Sequence, residues 1–109
     1  MTNEKQYKLL VSPAFSSMLS QHVAFIAIKN ISAGKRLHKA MIESINSLAT
    51  FPERYPVFEH HNLTFQFRKM FVPNWYLVIY EVTDDTVKIQ YMIDCRQENS
   101  WLLDEKSRK

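Results

Sequence analysis

The sequence has too little glycine, too little cysteine and too short an apolar run for several common kinds of protein. Its 109 residues include one glycine, Gly34, and one cysteine, Cys95. A single glycine cannot build a Gly-rich phosphate loop, and a single cysteine cannot close an intramolecular disulfide. The apolar run from Trp75 to Tyr80, which no other run exceeds in length, is far shorter than the roughly 20 residues that cross a bilayer. Because Met1 to Lys8 also lacks an apolar signal core, we expect a cytoplasmic protein with no membrane partner.

Metal-binding and catalytic motifs are scarce as well. No HExxH motif occurs, and no paired Cys and His spacing offers a zinc site. The side chains of the adjacent His60 and His61 diverge in extended backbone, and no third ligand is indicated. His22 lies on the apolar stripe of a predicted helix, where we interpret it as a histidine at the edge of the core. We therefore expect no metal and no cofactor.

The composition that remains is that of one folded domain. Hydrophobic residues make up 46% of the chain and aromatic residues 13%, which is enough apolar surface for a single core without a disulfide. The net charge of +3 and the pI near 9.1 allow contact with RNA or with an acidic partner but require neither. We expect a single domain over residues 1–109, with a frayed tail at 104–109.

A short strand and two helices are predicted first. Tyr7, Leu9 and Val11 alternate as in a strand, and Ser12 followed by Pro13 is a favoured helix start. The apolar spacing that follows predicts a helix that ends between residues 29 and 31.

A second helix is expected to start at Ser32 as its N-cap, with Gly34 in its first turn, where glycine costs little. One face of this helix is predicted to be buried, and the opposite face to be charged. The buried face consists of Leu37, Met41, Ile45 and Leu48, and the charged face includes Lys35, Arg36, Lys39 and Glu43.

Three strands are predicted in the second half of the chain. Pro52 and Pro56 exclude regular helix, so residues 50–62 are expected to be a connecting loop. Strands follow at 63–68, 75–82 and 87–95, with the middle one apolar on both faces and therefore central. Strict alternation places two sets on opposite sides of the last strand: Val87, Ile89, Tyr91, Ile93 and Cys95 against Lys88, Gln90, Met92, Asp94 and Arg96. The order βααβββ predicts an α+β fold, a helical hairpin on a small, mainly antiparallel twisted sheet.

Arg68, Lys69 and Arg96 are the candidate site residues. Arg68 and Arg96 lie on predicted strands that could bring them onto one polar surface, and a guanidinium suits phosphate or carboxylate groups. Taken by themselves, these residues also fit ordinary surface charge. Tyr80 and Trp101 could stack on nucleic-acid bases, although aromatic residues in or beside a sheet more often belong to the core.

Several segments in this order resemble the RelE/ParE superfamily of toxins. They are LATFP at 48–52, FRK at 67–69 followed by WYLVIY at 75–80, and VKIQYMIDCRQE at 87–98. The individual motifs are loose, and the resemblance lies in their order and spacing over about residues 6–103, which we take as the core of the domain.

The resemblance implies a toxin that arrests growth when free and is neutralised by a cognate acidic antitoxin. Operator DNA would then be contacted only through the antitoxin. Members of this superfamily act either on mRNA in the ribosome or on DNA gyrase. A third interpretation is a harmless interaction module with the same fold.

The choice between the two targets depends on a few positions. By this resemblance, Leu77 corresponds to a position at which the mRNA-cleaving members commonly carry an arginine. Those members often also carry a tyrosine or histidine shortly after the closing arginine. Here Leu77 is apolar, and neither residue type occurs between Gln97 and Trp101. We therefore favour the gyrase-directed, ParE-like branch. The alternative is an endoribonuclease that uses Arg68, Arg96 and Lys69 to stabilise the scissile phosphate.

Overall fold

A computed structural model describes residues 5–58, 67–72 and 76–95 as two helices on one sheet. The elements are β1 (Lys8–Val11), α1 (Pro13–Lys29), α2 (Ile31–Ser47), a 3-10 turn (Pro52–Arg54), β2 (Val57–Phe58), β3 (Phe67–Val72), β4 (Tyr76–Thr83) and β5 (Thr86–Asp94). The strand order is β1-β5-β4-β3-β2, with β1 parallel to β5 and all other pairs antiparallel. The predicted α+β fold and the order of its main elements are confirmed.

The predicted loop between the second helix and the sheet contains regular structure. Pro52 starts the 3-10 turn, and Val57 and Phe58 pair with Arg68 and Phe67 as the edge strand β2. The prediction of a plain loop over residues 50–62 is therefore wrong in its described part. A two-residue strand is too short to show an alternating pattern in the sequence. Its pairing partner is a separate strand further along the chain, so local sequence does not reveal it either.

Helix α1 begins where the sequence predicts. The Ser12 hydroxyl oxygen accepts a hydrogen bond from the Phe15 N–H at 2.9 Å, and Pro13 occupies the first turn. The Ser12 O–H in turn donates to the Gln90 carbonyl at 2.7 Å, so the cap also attaches the helix to β5.

One residue ends α1 and starts α2. The Asn30 N–H donates to the Ile26 carbonyl at 2.9 Å, and its side-chain oxygen accepts from the Ala33 N–H at 3.0 Å. Asn30, and not Ser32, is the N-cap, which corrects the prediction. Because no linker separates the helices, they must fold back tightly on each other.

Gly34 makes that close return possible. A Cβ at this position would lie 2.9 Å from the Ala27 Cβ and 3.1 Å from the Val23 carbonyl oxygen. Both distances are shorter than ordinary van der Waals contact. The glycine is therefore required by helix packing, a role that its place in the first turn does not reveal.

The helices cover one face of the sheet with the predicted stripe of α2. Leu37, Met41, Ile45 and Leu48 are all buried, and they pack with residues of β3, β4 and β5. Strand β4 is central, as predicted, and all five residues from Tyr76 to Tyr80 are buried.

A bulge in β5 overturns the predicted division of its faces. Ile79 pairs with Tyr91 and Tyr80 with Ile89, so Gln90 has no partner on β4 in the register. After the bulge the faces exchange. Val87, Ile89 and Met92 therefore share the helix-facing core, whereas Ile93 belongs to a second cluster with Leu77 and Ile79 on the other face.

Candidate functional site

The described residues form an open groove between the edge of the sheet and the two helices. Its volume is about 360 Å³. The apolar lining consists of Leu9 and Val11 from β1, Phe15 and Leu19 from α1, and Ile42 and Ile45 from α2. Ser16, Ser20, His38 and Asn46 add polar groups. Such a lining suits an amphipathic segment that places apolar side chains against the floor.

The elements around this groove carry mostly positive charge. Strand β1 and the two helices contain five cationic side chains, Lys8, Lys29, Lys35, Arg36 and Lys39, and one acidic side chain, Glu43. Helix α1 contains no aspartate or glutamate at all. None of these charged side chains lines the groove, so their surplus acts at longer range, where it favours the approach of an acidic partner to these three elements.

One nitrogen of the Arg68 guanidinium binds the backbone of the 3-10 turn and of the residue that follows it. It lies opposite Tyr80 in the pairing of β3 with β4, on the face that carries the helices. Its Nη1 donates to the Tyr55 carbonyl at 2.7 Å and to the Glu53 carbonyl at 3.2 Å. These bonds fasten the 3-10 turn and the residue that follows it to the sheet.

Tyr80 fastens the same segment from β4. Its hydroxyl donates to the Pro52 carbonyl at 2.5 Å. Burial raises the pKa of Tyr80 to about 12, an effect partly opposed by the nearby Arg68 charge. The phenol therefore stays protonated at neutral pH, where it can donate a hydrogen bond but cannot act as a general base.

Lys69 lies on the opposite face of the sheet from Arg68. It pairs with Ile79, whose side chain belongs to the cluster away from the helices. Its N–H donates to the Pro56 carbonyl at 3.0 Å. Arg68 and Lys69 are thus adjacent in sequence but are not brought together, while Arg96 and Trp101 lie outside the described residues, as do His60 and His61.

Leu77 occupies an apolar environment. It is 2% exposed and packs with Ile79 and Ile93. A charged side chain here would be buried at high cost unless it were paired. The position that the resemblance associates with a catalytic arginine is therefore part of the second apolar cluster in this chain.

The structure adds a buried carboxylate that the sequence did not single out. Asp94 is 3% exposed, and its Oδ2 lies 3.8 Å from His22 Nδ1. The His22 ring also meets the Tyr76 ring edge to face, with centroids 5.6 Å apart. His22 lies at the edge of the core, as expected. Asp94 was missed because the bulge moved it from the predicted polar side to the helix-facing side.

Cys95 offers no reactive thiolate. Burial, followed by the negative charge of Asp94, raises the pKa of its thiol. A thiol with a raised pKa stays protonated at neutral pH and is a poor nucleophile.

Two further features of the described residues concern metal and membrane binding. In residues 5–58, 67–72 and 76–95 no three His, Cys, Asp or Glu side chains are grouped as in a metal site. The helices in these ranges are too short and too polar to span a bilayer.

Comparisons with known proteins agree with the fold. The model of a family described as the ParE toxin of the type II toxin–antitoxin system, parDE, matches residues 9–98. A solved chain from the chromosomal ParDE TA system from P. aeruginosa superposes with a TM-score of 0.68, covering 83% of this chain and 97% of that one. The sequence identity is 9%, so this likeness concerns the fold alone. A comparison with curated protein sequences found no match.

Proposed function

Because the chain belongs to the ParE toxin family of type II toxin–antitoxin systems, we propose that it inhibits growth when free and is neutralised by a cognate acidic antitoxin. The observation that carries this proposal is the apolar groove between β1, α1 and α2, three elements that together carry a surplus of cationic side chains. An antitoxin segment with apolar and acidic side chains complements both properties. Operator DNA would be bound only by the antitoxin part of the complex.

The proposed target of the free toxin is DNA gyrase. Three placements support this choice over mRNA cleavage. Arg68 already binds two backbone carbonyls, Lys69 lies on the other face of the sheet, and Leu77 is buried among apolar side chains. A ribonuclease needs a base and phosphate-stabilising cations on one accessible surface, and the described residues do not bring these groups together.

The target can be tested with the purified protein and in cells. We expect the protein to inhibit DNA supercoiling by gyrase and to leave translated transcripts intact in primer-extension mapping after induction. Arg68→Lys tests whether the guanidinium takes part, because lysine keeps the charge but does not reproduce the Nη1 that donates to both carbonyls. If prompt cuts in translated mRNA disappear in Arg68→Lys while supercoiling by gyrase is unaffected, the ribonuclease alternative is correct.

A further inference from the structure

Phe51, directly before the 3-10 turn, has a backbone conformation and an exposure that do not suit a phenylalanine. Its φ of 52° and ψ of 56° lie in the left-handed region, which glycine and asparagine adopt readily and bulky residues do not. In the described ranges the other non-glycine residue with a positive φ is Asp84, whose short polar side chain tolerates it. The Phe51 side chain is 63% exposed, so burial in the core does not compensate for the backbone.

The turn that carries Phe51 is held firmly by the rest of the fold. Arg54 Nη1 donates to the carbonyls of Thr50 and Phe51 at 2.6 Å and 3.1 Å, which closes the turn from within. From the sheet, Tyr80 and Arg68 donate to backbone carbonyls of the residues that follow Phe51. Because these bonds together fix the turn, an unfavourable backbone at one residue is tolerated.

A rigid turn of this kind presents the phenyl ring to a partner in a fixed position. Aromatic side chains are enriched at the centre of protein interfaces. A ring that is already held in place loses little conformational freedom on binding. Phe51 disfavours its own backbone and contributes little to the core, so contact with another molecule explains its presence better than the fold does.

The surroundings of Phe51 indicate what kind of molecule takes the ring. Glu53 and Arg54 are exposed beside it and have opposite charges, so the turn favours neither an acidic nor a basic partner. Phe51 is not among the residues that line the groove between β1, α1 and α2. A folded protein can offer a concave apolar pocket for a phenyl ring, which a single segment lying along that groove cannot. The turn therefore fits a pocket on a folded protein better than it fits the antitoxin segment.

We propose that Phe51 inserts its ring into an apolar pocket of DNA gyrase and anchors the free toxin on that target. This inference rests on the gyrase-directed activity proposed above and identifies a residue that makes the contact. The turn supplies the orientation of the ring, and the ring supplies the apolar contact. The left-handed backbone at Phe51 lowers the stability of the fold and is retained for this contact.

Asparagine at position 51 separates the stability of the fold from binding. Phe51→Asn removes the ring and suits a left-handed backbone. We expect the melting temperature of this variant to equal that of the parent or to exceed it by up to about 8 °C. The toxin concentration that halves DNA supercoiling by purified gyrase is expected to rise at least about thirtyfold, as for an anchor residue of an interface.

Two controls are matched to this change. Phe51→Leu keeps an apolar side chain on the same backbone, and its half-inhibiting concentration is expected to rise less than about tenfold. Phe25 is 59% exposed on α1, and Phe25→Asn is expected to inhibit supercoiling like the parent. The small protein encoded beside this gene is expected to bind Phe51→Asn as tightly as it binds the parent.

Each other outcome overturns the inference in a distinct way. Equal inhibition by Phe51→Asn and the parent would leave gyrase as the target but remove Phe51 from the contact. A lower melting temperature of Phe51→Asn would show that the ring serves the fold. Loss of the small protein, or of a dimer of the parent, while inhibition persists would assign the ring to the antitoxin or to a second copy. If the parent does not inhibit gyrase at all, the proposed target and this inference both fail.

Discussion

Replacing Ile42 with glutamate is expected to weaken antitoxin binding about a hundredfold or more without abolishing growth inhibition. Ile42 lines the groove and is 38% exposed, so its side chain contributes little to the core. Glutamate removes an apolar contact worth about 1.5–3 kcal/mol and places a negative charge where an acidic segment binds. A hundredfold loss corresponds to about 2.7 kcal/mol, which these two effects together can supply.

A second glutamate provides the matched control. Ile28 is 81% exposed on α1 and is not among the residues that line the groove. Ile28→Glu is expected to bind the antitoxin like the parent in a calorimetric titration. In cells, co-expressed antitoxin should rescue growth of the Ile28→Glu strain but not of the Ile42→Glu strain. Equal rescue of both strains would show that the groove is not the antitoxin site.

The second large effect is expected at Ile45. This side chain is 4% exposed and packs in the helix-facing core. Ile45→Ala leaves a cavity and is expected to lower the free energy of unfolding by about 2–5 kcal/mol. Lys39 is exposed on the outer side of the same helix, and Lys39→Ala is expected to change the free energy of unfolding by less than about 0.5 kcal/mol.

Urea denaturation followed by circular dichroism measures both changes directly. A substitution can also alter the slope with which the free energy of unfolding falls with urea concentration. The midpoints are therefore compared only between proteins whose slopes are equal. Small and equal losses at Ile45 and Lys39 would reject the buried stripe of α2.

Much of the fold could be predicted because its signals are local. Ser12 and Pro13 mark the start of α1, and the spacing of Leu37, Met41 and Ile45 marks the buried face of α2. The continuous apolar run in β4 indicates a central strand that is covered on at least one face by the helices. Each of these patterns depends on residues within about two turns of helix or one strand, so no tertiary information is needed.

The features that the sequence did not predict depend on partners that are far apart in the chain. The bulge at Gln90 is fixed partly by the Ser12 hydroxyl, 78 residues earlier. Alternation alone cannot locate such an extra residue, and one residue is enough to exchange all faces beyond it. The same exchange moved Asp94 to the helix-facing side. Asn30 was missed because a single residue serving two helices leaves no gap in the helical pattern.

The candidate site was only partly accessible to sequence reasoning for the same reason. From the sequence, the guanidinium of Arg68 is expected to donate hydrogen bonds to oxygen atoms. In the structure it does so, to the carbonyl oxygens of Glu53 and Tyr55. The sequence could not show that these acceptors belong to the chain itself. The groove is also a tertiary feature, because its lining comes from three elements and extends in sequence from Leu9 to Asn46.

Growth after induction of this chain alone, and together with the small protein encoded beside it, tests the central claim most directly. A toxin neutralised in its groove should stop growth when expressed alone and permit near-normal growth when the neighbour is co-expressed. The Ile28→Glu strain should behave in the same way. Normal growth at high levels of the soluble, folded chain without any partner would contradict the account and would favour a harmless interaction module with the same fold.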